Sequence, residues 1–220
     1  MLHTKMVLTI TLVLIFGSAF LFFMFERQNV LSGLSVKDTV LASLFAAVTP
    51  RTAGFNTIDL AAMTDGSKLL TTILMFIGGS PGSTAGGAKT TTIVVMLLSA
   101  VAVIRSSHGV NVYGRRLEPE TIHKASTVIC INLTMALTAI LIILAVQPLE
   151  FMDVCMEVFS AIGTVGMSTG ITRELNDISK CIIILLMYCG RLGSLSFVLV
   201  FAQKKKVPPI LNPQEKMLVG

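Results

Sequence analysis

The chain has 220 residues, of which 53% are hydrophobic and only 13% are charged, and its mean hydropathy is +0.82. Soluble domains carry about 25% charged residues, so a soluble fold of this length could not hide so much apolar surface from water. The composition therefore predicts an integral membrane protein and excludes intrinsic disorder. The four cysteines lie singly in or near apolar runs without metal-ligand spacing, which excludes a disulfide scaffold.

Four apolar runs are long enough to cross a bilayer, which takes about 20 residues of helix. The second of them is interrupted by a glycine-rich stretch at 78–92, and the four runs cover residues 6–25, 69–104, 125–146 and 178–202. A cleaved signal peptide is the weaker interpretation of the first run, because that run is long and Glu26 and Arg27 follow it.

Two shorter apolar segments, 37–49 and 150–162, lie between the long runs. A helix of about a dozen residues reaches roughly 18–20 Å, which is too short to span a bilayer. The segments are therefore predicted to be either interfacial helices or re-entrant helices that enter the membrane and return on the same side.

The positions of lysine and arginine residues predict on which side of the membrane each loop and terminus lies. They are concentrated near the N-terminus, in the 105–124 loop and in the tail after Gln203, whereas acidic residues predominate on the opposite side. We therefore place both termini and this loop in the cytoplasm. The same distribution explains the net charge of +5 without a nucleic acid partner.

The order long helix, short helix, helix occurs twice, and the ends of the short helices match. Phe45 matches Phe159, and the segment 52–54 (Thr-Ala-Gly) matches 164–166 (Thr-Val-Gly). Each repeat crosses the membrane an even number of times, so the two repeats have the same orientation. That arrangement differs from the inverted repeats of many secondary transporters.

The segments after the short helices have the chemistry of a cation path. Backbone carbonyls can replace the water shell of an ion, glycine permits the positive φ that successive inward carbonyls require, and the helix C-terminus favours a cation. A single Thr-x-Gly is typical of a tight turn, but two such segments after short helices favour ion binding. The predicted ligands are Thr52, Ala53, Gly54, Phe55, Asn56, Thr164, Val165, Gly166, Met167 and Ser168.

The glycine-rich stretch has three interpretations. Residues 82–89 approach a phosphate-loop pattern but place one residue too many before Lys89. Residues 78–82 spell G-x-S-x-G with Ser80 as nucleophile, although His3, His108 and His123 lie near or outside the cytoplasmic edge. The favoured interpretation is unwound backbone that lines a cavity.

Arg191 inside the fourth run is either a partner for buried carbonyls or a charge facing the pore.

Four stretches, 49–57, 78–91, 163–170 and 190–193, make the chain resemble potassium uptake subunits of the Ktr/Trk/HKT superfamily. The resemblance implies an all-α membrane protein with two parallel helix–re-entrant pore helix–helix repeats of potassium-channel-like architecture. Family members have four such repeats, and these two resemble the third and fourth. The expected division is 1–105 for the first repeat, 106–120 for a cytoplasmic linker, 121–203 for the second repeat and 204–220 for a cytoplasmic tail.

The resemblance further implies potassium uptake across the cell membrane, without an organic cofactor or catalytic residues, and with sodium as the second candidate ion. The glycine-rich loop would gate the pore together with Arg191. The predicted gate residues are Gly78, Gly79, Ser80, Gly82, Ser83, Thr84, Gly86, Gly87, Lys89 and Arg191. The implied partners are the lipid bilayer, a second subunit in a homodimer with residues up to Gly220 near the interface, and a cytosolic ring of nucleotide-binding regulatory subunits.

Three alternatives remain open at this point. One is a secondary transporter coupled to sodium or protons, one is an intramembrane enzyme with Ser80 as nucleophile, and one is a non-functional fragment. Two repeats supply only half of a four-repeat pore. Either the chain is a partial product, which is the favoured explanation, or two chains pair to complete four filter segments.

Overall fold

The structure, a computed structural model, describes residues 2–106 and 109–193. Within these residues the chain forms seven α-helices and one short β-hairpin, with a 3₁₀ turn at Ile171–Arg173. In chain order the elements are α1 (Leu2–Glu26), α2 (Val36–Val48), α3 (Asp65–Phe76), α4 (Thr90–Ile104), β1 (Asn111–Val112), β2 (Arg115–Arg116), α5 (Pro119–Val146), α6 (Phe151–Ile162) and α7 (Asp177–Leu192).

Helices α1 and α5 are the two long apolar elements. They contain 25 and 28 residues, which at about 1.5 Å per residue is more than the roughly 30 Å of a hydrocarbon core. Among the described residues these two helices are long and apolar enough to cross a membrane. Their helical character was predicted, but α5 begins at Pro119, before the apolar run, because proline suits the first turn of a helix.

Helices α2 and α6 have the predicted positions and lengths of 13 and 12 residues. The Ser35 side chain caps α2 by accepting a hydrogen bond from the Asp38 backbone nitrogen. Helix α2 ends before Pro50, and α6 ends at Ile162 with Gly163 as its C-cap. Their helical character is confirmed, whereas their re-entrant course stays a prediction.

The second apolar run is broken as predicted. Helix α3 ends at Phe76, α4 begins at Thr90, and residues 77–89 form a loop between them. At its other end α3 is fixed to α1, because the buried Glu26 carboxylate accepts hydrogen bonds from the backbone nitrogen and hydroxyl of Thr64 at 2.9 and 2.7 Å. Thr64 is the N-cap of α3.

The fourth apolar run requires a correction. It was predicted to be helical over 178–202 with Arg191 near its middle, but α7 ends at Leu192 and Arg191 lies in its last turn. Gly193 has a φ of +84°, a left-handed conformation that ends the helix. Residues 194–202 and the predicted tail 204–220 lie outside the described residues.

One hydrophobic cluster joins the two repeats. It contains Ala47 and Met75 from the first repeat and Met156, Val165 and Met167 from the second, all buried. A second cluster lies among α5, α6 and α7. Because side chains of both repeats share one buried cluster, the ends of α2 and α6 are held close together. The predicted linker contains the hairpin β1–β2, which the sequence analysis did not anticipate.

Candidate ion-binding site

Two segments, 52–56 and 164–168, follow the C-terminal ends of α2 and α6 and are called here the first and second filter segments. Their backbones have matching conformations. The φ angles are +70° at Thr52 and +78° at Gly54, and +51° at Thr164 and +89° at Gly166. A threonine with positive φ is uncommon and strained. Its occurrence at both matching positions shows that the two segments hold the same unusual backbone conformation.

The amide groups of the filter segments point back towards the short helices. Thr49 O accepts hydrogen bonds from the nitrogens of Ala53 and Gly54, each at 3.1 Å. In the second repeat Ser160 accepts them, through its carbonyl from Val165 N at 2.9 Å and through its hydroxyl from Gly166 N at 3.1 Å. The N–H groups are thereby satisfied inside each repeat.

The carbonyls of the same segments are left available. Within the described parts of the chain, no hydrogen-bond donor contacts the carbonyl oxygens of residues 52–54 or 164–166. Unpaired carbonyls are costly unless water or an ion satisfies them. Six such carbonyls, beside the partly negative C-terminal ends of two helices, form an arrangement that suits a cation.

The two filter segments lie against each other. The Thr52 hydroxyl donates to the carbonyl oxygen of Gly163 at 3.2 Å. At Gly54 an added Cβ would collide with the carbonyl oxygen of Val165, so this contact requires glycine. The side chains of Val165 and Met167 are buried away from the segment backbone in the shared cluster.

Three predicted ligands differ from the rest. The Phe55 carbonyl accepts a hydrogen bond from the Thr49 hydroxyl at 2.6 Å, and the Phe55 side chain is 71% exposed. Asn56 is exposed. The Ser168 hydroxyl shares a hydrogen bond with Thr172 at 2.9 Å and accepts one from Gly170 N at 3.0 Å. The Phe55 carbonyl is therefore occupied by a hydrogen bond, whereas the carbonyls of residues 52–54 and 164–166 are available.

The loop 77–89 closes on itself. Gly78 N donates to the Ala88 carbonyl at 2.8 Å, Ala88 N to the Phe76 carbonyl at 3.1 Å, and Thr90 N to the Gly79 carbonyl at 3.2 Å. These bonds join the two ends of the loop, as in compact Ω-loops. The residues between them can therefore change position without separating α3 from α4.

The loop contacts the second filter segment directly. Gly86 N donates to the Thr164 hydroxyl at 3.1 Å, and Gly87 N donates to the Ile162 carbonyl at 3.2 Å. A Cβ at Gly86 would lie 2.6 Å from the Thr164 hydroxyl and 2.8 Å from the Gly163 carbonyl. Glycine at position 86 is therefore what allows the loop to approach this closely.

Two cationic side chains hold the loop through three successive carbonyls. The Lys89 ammonium donates to Ser83 O at 3.2 Å and to Ala85 O, and the Arg191 guanidinium donates to Thr84 O at 3.0 Å. Lys89 is also the N-cap residue of α4. Arg191 therefore donates to a backbone carbonyl, but Arg191 and Thr84 are both exposed, so this carbonyl is not the buried one that the sequence analysis considered.

Among the described residues, no hydrogen bond joins Ser80 to His3 or His123, and no group of three or more His, Cys, Asp and Glu side chains could hold a metal ion. His108 lies outside the described residues. The cysteines Cys130, Cys155, Cys181 and Cys189 are free in the described structure.

Residues 2–209 match the family model described as "TrkH: Cation transport protein". The chain belongs to the TrkH family. It is 40% identical to Ktr system potassium uptake protein B of Bacillus subtilis, covering 100% of this chain and 49% of that protein. It is 34% identical to the potassium/sodium uptake protein NtpJ of Enterococcus hirae, covering 100% of this chain and 50% of that protein.

A solved structure, the potassium transporter TrkH from Vibrio parahaemolyticus, shares the fold of this TrkH-family chain. The TM-score is 0.73 at 21% identity, and the match covers 88% of this chain and 43% of that one. The chain spans about half the length of the curated relatives it matches. The resemblance inferred from the sequence is thus confirmed at the level of family and helical fold.

Sequence reasoning missed one half-buried and one buried acidic group on α6 of this TrkH-family chain. Lys68 on α3 forms a 3.0 Å ion pair with Asp153 on α6, with side-chain exposures of 7% and 15%. Glu157 on α6 is buried and accepts a hydrogen bond from the Thr172 hydroxyl. The sequence does contain a pattern that singles out Lys68, because Asp-x-Ser-Lys occurs at the start of both α3 and α7.

Proposed function

We propose that this chain supplies two parallel helix–re-entrant pore helix–helix repeats of a potassium-conducting pore in the cell membrane. The observation that carries the proposal is the pair of filter segments, which have the same alternating backbone conformation and six carbonyls without a donor. The helices α2 and α6 then act as pore helices, and α3 and α7 as the inner helices. The expected divisions 1–105, 106–120, 121–203 and 204–220 belong to this proposal.

Potassium binding follows from the carbonyl chemistry. Carbonyl oxygens replace the water shell of an ion, and the C-terminal ends of α2 and α6 add a favourable dipole. The hydroxyls of Thr52 and Thr164 lie at the same end of both segments. The names of the relatives support potassium, and that of the Enterococcus protein adds sodium as a second ion.

The loop 77–89 is the gate of this proposal. Its contact with Thr164 places it against the second filter segment, and Lys89 and Arg191 stabilise it there. Opening would break the Gly86–Thr164 and Arg191–Thr84 hydrogen bonds. The loop ends would remain joined through Gly78 and Ala88. The gate residues proposed from the sequence therefore act as one unit.

The remaining parts of the proposal concern topology and partners. The basic residues near the N-terminus, in the 105–124 loop and in the tail favour cytoplasmic termini. A homodimer and a cytosolic ring of nucleotide-binding regulatory subunits complete the assembly. Ions move passively down the electrochemical gradient. Coupled transport with sodium or protons is the second candidate, and uptake against a potassium gradient would favour it.

The test is rubidium uptake by cells that lack their own potassium uptake systems and express this chain. We expect uptake and growth on low potassium, and we expect Gly166→Ser to abolish both, because position 166 requires a positive φ. Gly17→Ser is the matched control, since an added Cβ at Gly17 of α1 meets nothing within 4 Å. Membrane insertion without uptake, or uptake by the Gly166→Ser variant, would contradict the proposal.

A further inference from the structure

A buried carboxylate lies on α6 close to the contact that holds the second filter segment. The Glu157 side chain is 7% exposed, and Ser160, whose hydroxyl accepts from Gly166 N, follows three residues later. Both side chains and residues 164–168 line one cavity of about 450 Å³. Residues three apart lie on the same side of a helix, so Glu157 faces the filter segment as Ser160 does. A buried carboxylate is costly unless polar groups satisfy it, so its partners indicate its role.

Glu157 reaches the C-terminal end of the second filter segment through two hydroxyl groups. The Thr172 hydroxyl donates to Glu157 Oε1 and lies 2.9 Å from the Ser168 hydroxyl. Ser168, the last residue of the segment, also accepts a hydrogen bond from Gly170 N at 3.0 Å. These four residues form one series of hydrogen bonds, called here the carboxylate network.

The carboxylate determines the direction of the hydrogen bonds in this network. A carboxylate can only accept, and a hydroxyl has one proton to donate. Because Thr172 donates its proton to Glu157, the Ser168 hydroxyl donates to Thr172 and accepts from Gly170 N. A hydrogen bond to a carboxylate is also stronger than one between neutral groups. The network therefore gives Ser168 one preferred hydroxyl orientation.

The second filter segment is thereby attached to α6 at two heights. Ser160 holds the middle of the segment through Gly166 N. Glu157 holds its C-terminal end through Thr172 and Ser168. Two attachments on one helix restrict the movement of the backbone between them. Since the discrimination between ions depends on the number and flexibility of the coordinating carbonyls, this restriction bears on ion specificity.

Within the described residues, the first filter segment has no matching network. In the register of the repeat, Glu157 matches Ser43 of α2, whose hydroxyl donates to Thr39 O at 2.8 Å inside the same helix. Thr172 matches Leu60, which is apolar and buried. A small polar residue is thus sufficient at this position of a pore helix. The carboxylate is therefore a particular feature of the second repeat.

A different contact holds the C-terminal part of the first filter segment. The Thr49 hydroxyl donates to the Phe55 carbonyl at 2.6 Å and so occupies a backbone carbonyl. In the carboxylate network the bonded groups are side chains and the Gly170 N–H. The second segment is thus held at this end without the use of a backbone carbonyl. The two segments differ in how they are attached, although their φ angles match.

We infer that Glu157 is a positioning residue that sets the ion specificity of the second filter segment. This inference rests on the proposed function of that segment. Glu157 acts through Thr172 and Ser168, while the backbone carbonyls contact the ion. With the network intact, the carbonyls keep the spacing that suits potassium. Without it, the end of the segment can move and adapt to the smaller sodium ion.

Two pairs of variants separate positioning from charge. Glu157→Gln keeps an oxygen that can accept from Thr172 but removes the charge, whereas Glu157→Leu removes the acceptor. Thr172→Ser keeps the hydroxyl, and Thr172→Val removes it while retaining the shape of threonine. Ser43→Ala is the matched control in the first repeat, since the Ser43 hydroxyl donates within its own helix.

The first readout is the ratio of rubidium to sodium uptake, which does not depend on how much of each variant reaches the membrane. We expect the ratio to fall about tenfold in Glu157→Leu and Thr172→Val, because each loses a hydrogen bond to a charged group. The double variant should fall no further, since both changes break one network. Glu157→Gln, Thr172→Ser and Ser43→Ala should keep the original ratio. An unchanged ratio in Glu157→Leu, or an equal fall in Glu157→Gln, would overturn the inference.

The second readout is amide hydrogen exchange of the purified chain in detergent, which requires no transport. Mass spectrometry follows the peptides that contain residues 168–172. We expect faster exchange there in Glu157→Leu and Thr172→Val, and the original rate in Glu157→Gln and Thr172→Ser. Peptides from α1 should exchange at the same rate in all variants, which shows that the variants are folded. If Glu157→Leu fails this folding control, Thr172→Val carries the test.

The two readouts distinguish failure of this inference from failure of the proposed function. Faster exchange at 168–172, with no rubidium uptake even by the unmodified chain, would support the positioning role and contradict the proposed function. Uptake with unchanged exchange in Glu157→Leu and Thr172→Val would overturn the inference and leave the function standing. Faster exchange with an unchanged uptake ratio would also overturn it, because the network would then stabilise the turn without affecting the ion.

Discussion

The Thr164 hydroxyl accepts a hydrogen bond from the Gly86 backbone nitrogen at 3.1 Å, which joins the loop 77–89 directly to the second filter segment. The matching hydroxyl of Thr52 instead donates to Gly163 O, and among the described residues it has no hydrogen bond to the loop. In the proposed pore, therefore, the gate is coupled to one of the two filter segments and not to the other.

Thr164→Val should favour the open loop, because valine keeps the shape of threonine but cannot accept the Gly86 hydrogen bond. A hydrogen bond of this kind contributes about 1 kcal/mol, so we expect roughly a fivefold shift towards the open state. The measurement is the rate of rubidium uptake in the absence of regulatory subunits. Thr52→Val, which also removes a predicted filter hydroxyl but not the hydrogen bond to the loop, is the matched control and should not raise uptake; an equal rise in the two variants would contradict the coupling.

Lys89→Met should release the loop from α4, because the carbonyls of Ser83 and Ala85 lose their shared cationic donor. The measurement is the labelling rate of Ala85→Cys by a water-soluble thiol reagent in a background without native cysteines. We expect faster labelling in the Lys89→Met variant. A cysteine at Gly114, in the turn of the hairpin, should label at the same rate with and without Lys89→Met. An unchanged rate at position 85 would show that Lys89 does not hold the loop.

Lys68→Met should strongly destabilise the chain, because it leaves the Asp153 carboxylate buried without its partner. Breaking a buried pair costs about 3–5 kcal/mol, and the measurement is thermal unfolding in detergent. The exposed pair Lys124–Glu120 is the control, since exposed pairs contribute about 1 kcal/mol or less. Similar losses for Lys68→Met and Lys124→Met would contradict the structural role of the buried pair.

Gly54→Ala should destabilise the isolated chain more than Gly166→Ala. Both variants place alanine at positive φ, which costs about 1–2 kcal/mol, but only the Cβ at position 54 collides with a carbonyl, that of Val165. At Gly166 an added Cβ meets nothing within 4 Å in the described structure. The comparison is made by thermal unfolding under conditions where the chain is monomeric. A larger loss for Gly166→Ala would show that the two segments are arranged differently.

The sequence predicted those parts of the structure that depend on local pattern. Apolar length and flanking residues identified α1, α2, α5 and α6, and the collapse of helix propensity identified the loop 77–89. The positive φ expected at Gly54 and Gly166 is observed. The positive φ of Thr52 and Thr164 was not predicted, because nothing in the neighbouring sequence distinguishes them from threonines in ordinary turns.

Other features depend on contacts between distant residues and could not be read from pattern. The fourth run is apolar on both sides of Arg191, so hydropathy did not reveal that α7 ends before Gly193 and that Arg191 lies in its last turn. The Gly86–Thr164 and Lys68–Asp153 contacts join residues far apart in the chain. For Lys68 the repeated Asp-x-Ser-Lys pattern was a usable signal, but it indicates a match between repeats and not the acid that each lysine contacts.

The central claim is that the carbonyls of residues 52–54 and 164–166 bind a potassium ion. The most direct measurement is a crystal structure of the purified chain in thallium(I), which replaces potassium and has a strong anomalous signal. The account predicts an anomalous peak within coordination distance of carbonyl oxygens from both filter segments, and its loss in the Gly166→Ser variant. A peak elsewhere, with none at these carbonyls, would contradict the claim.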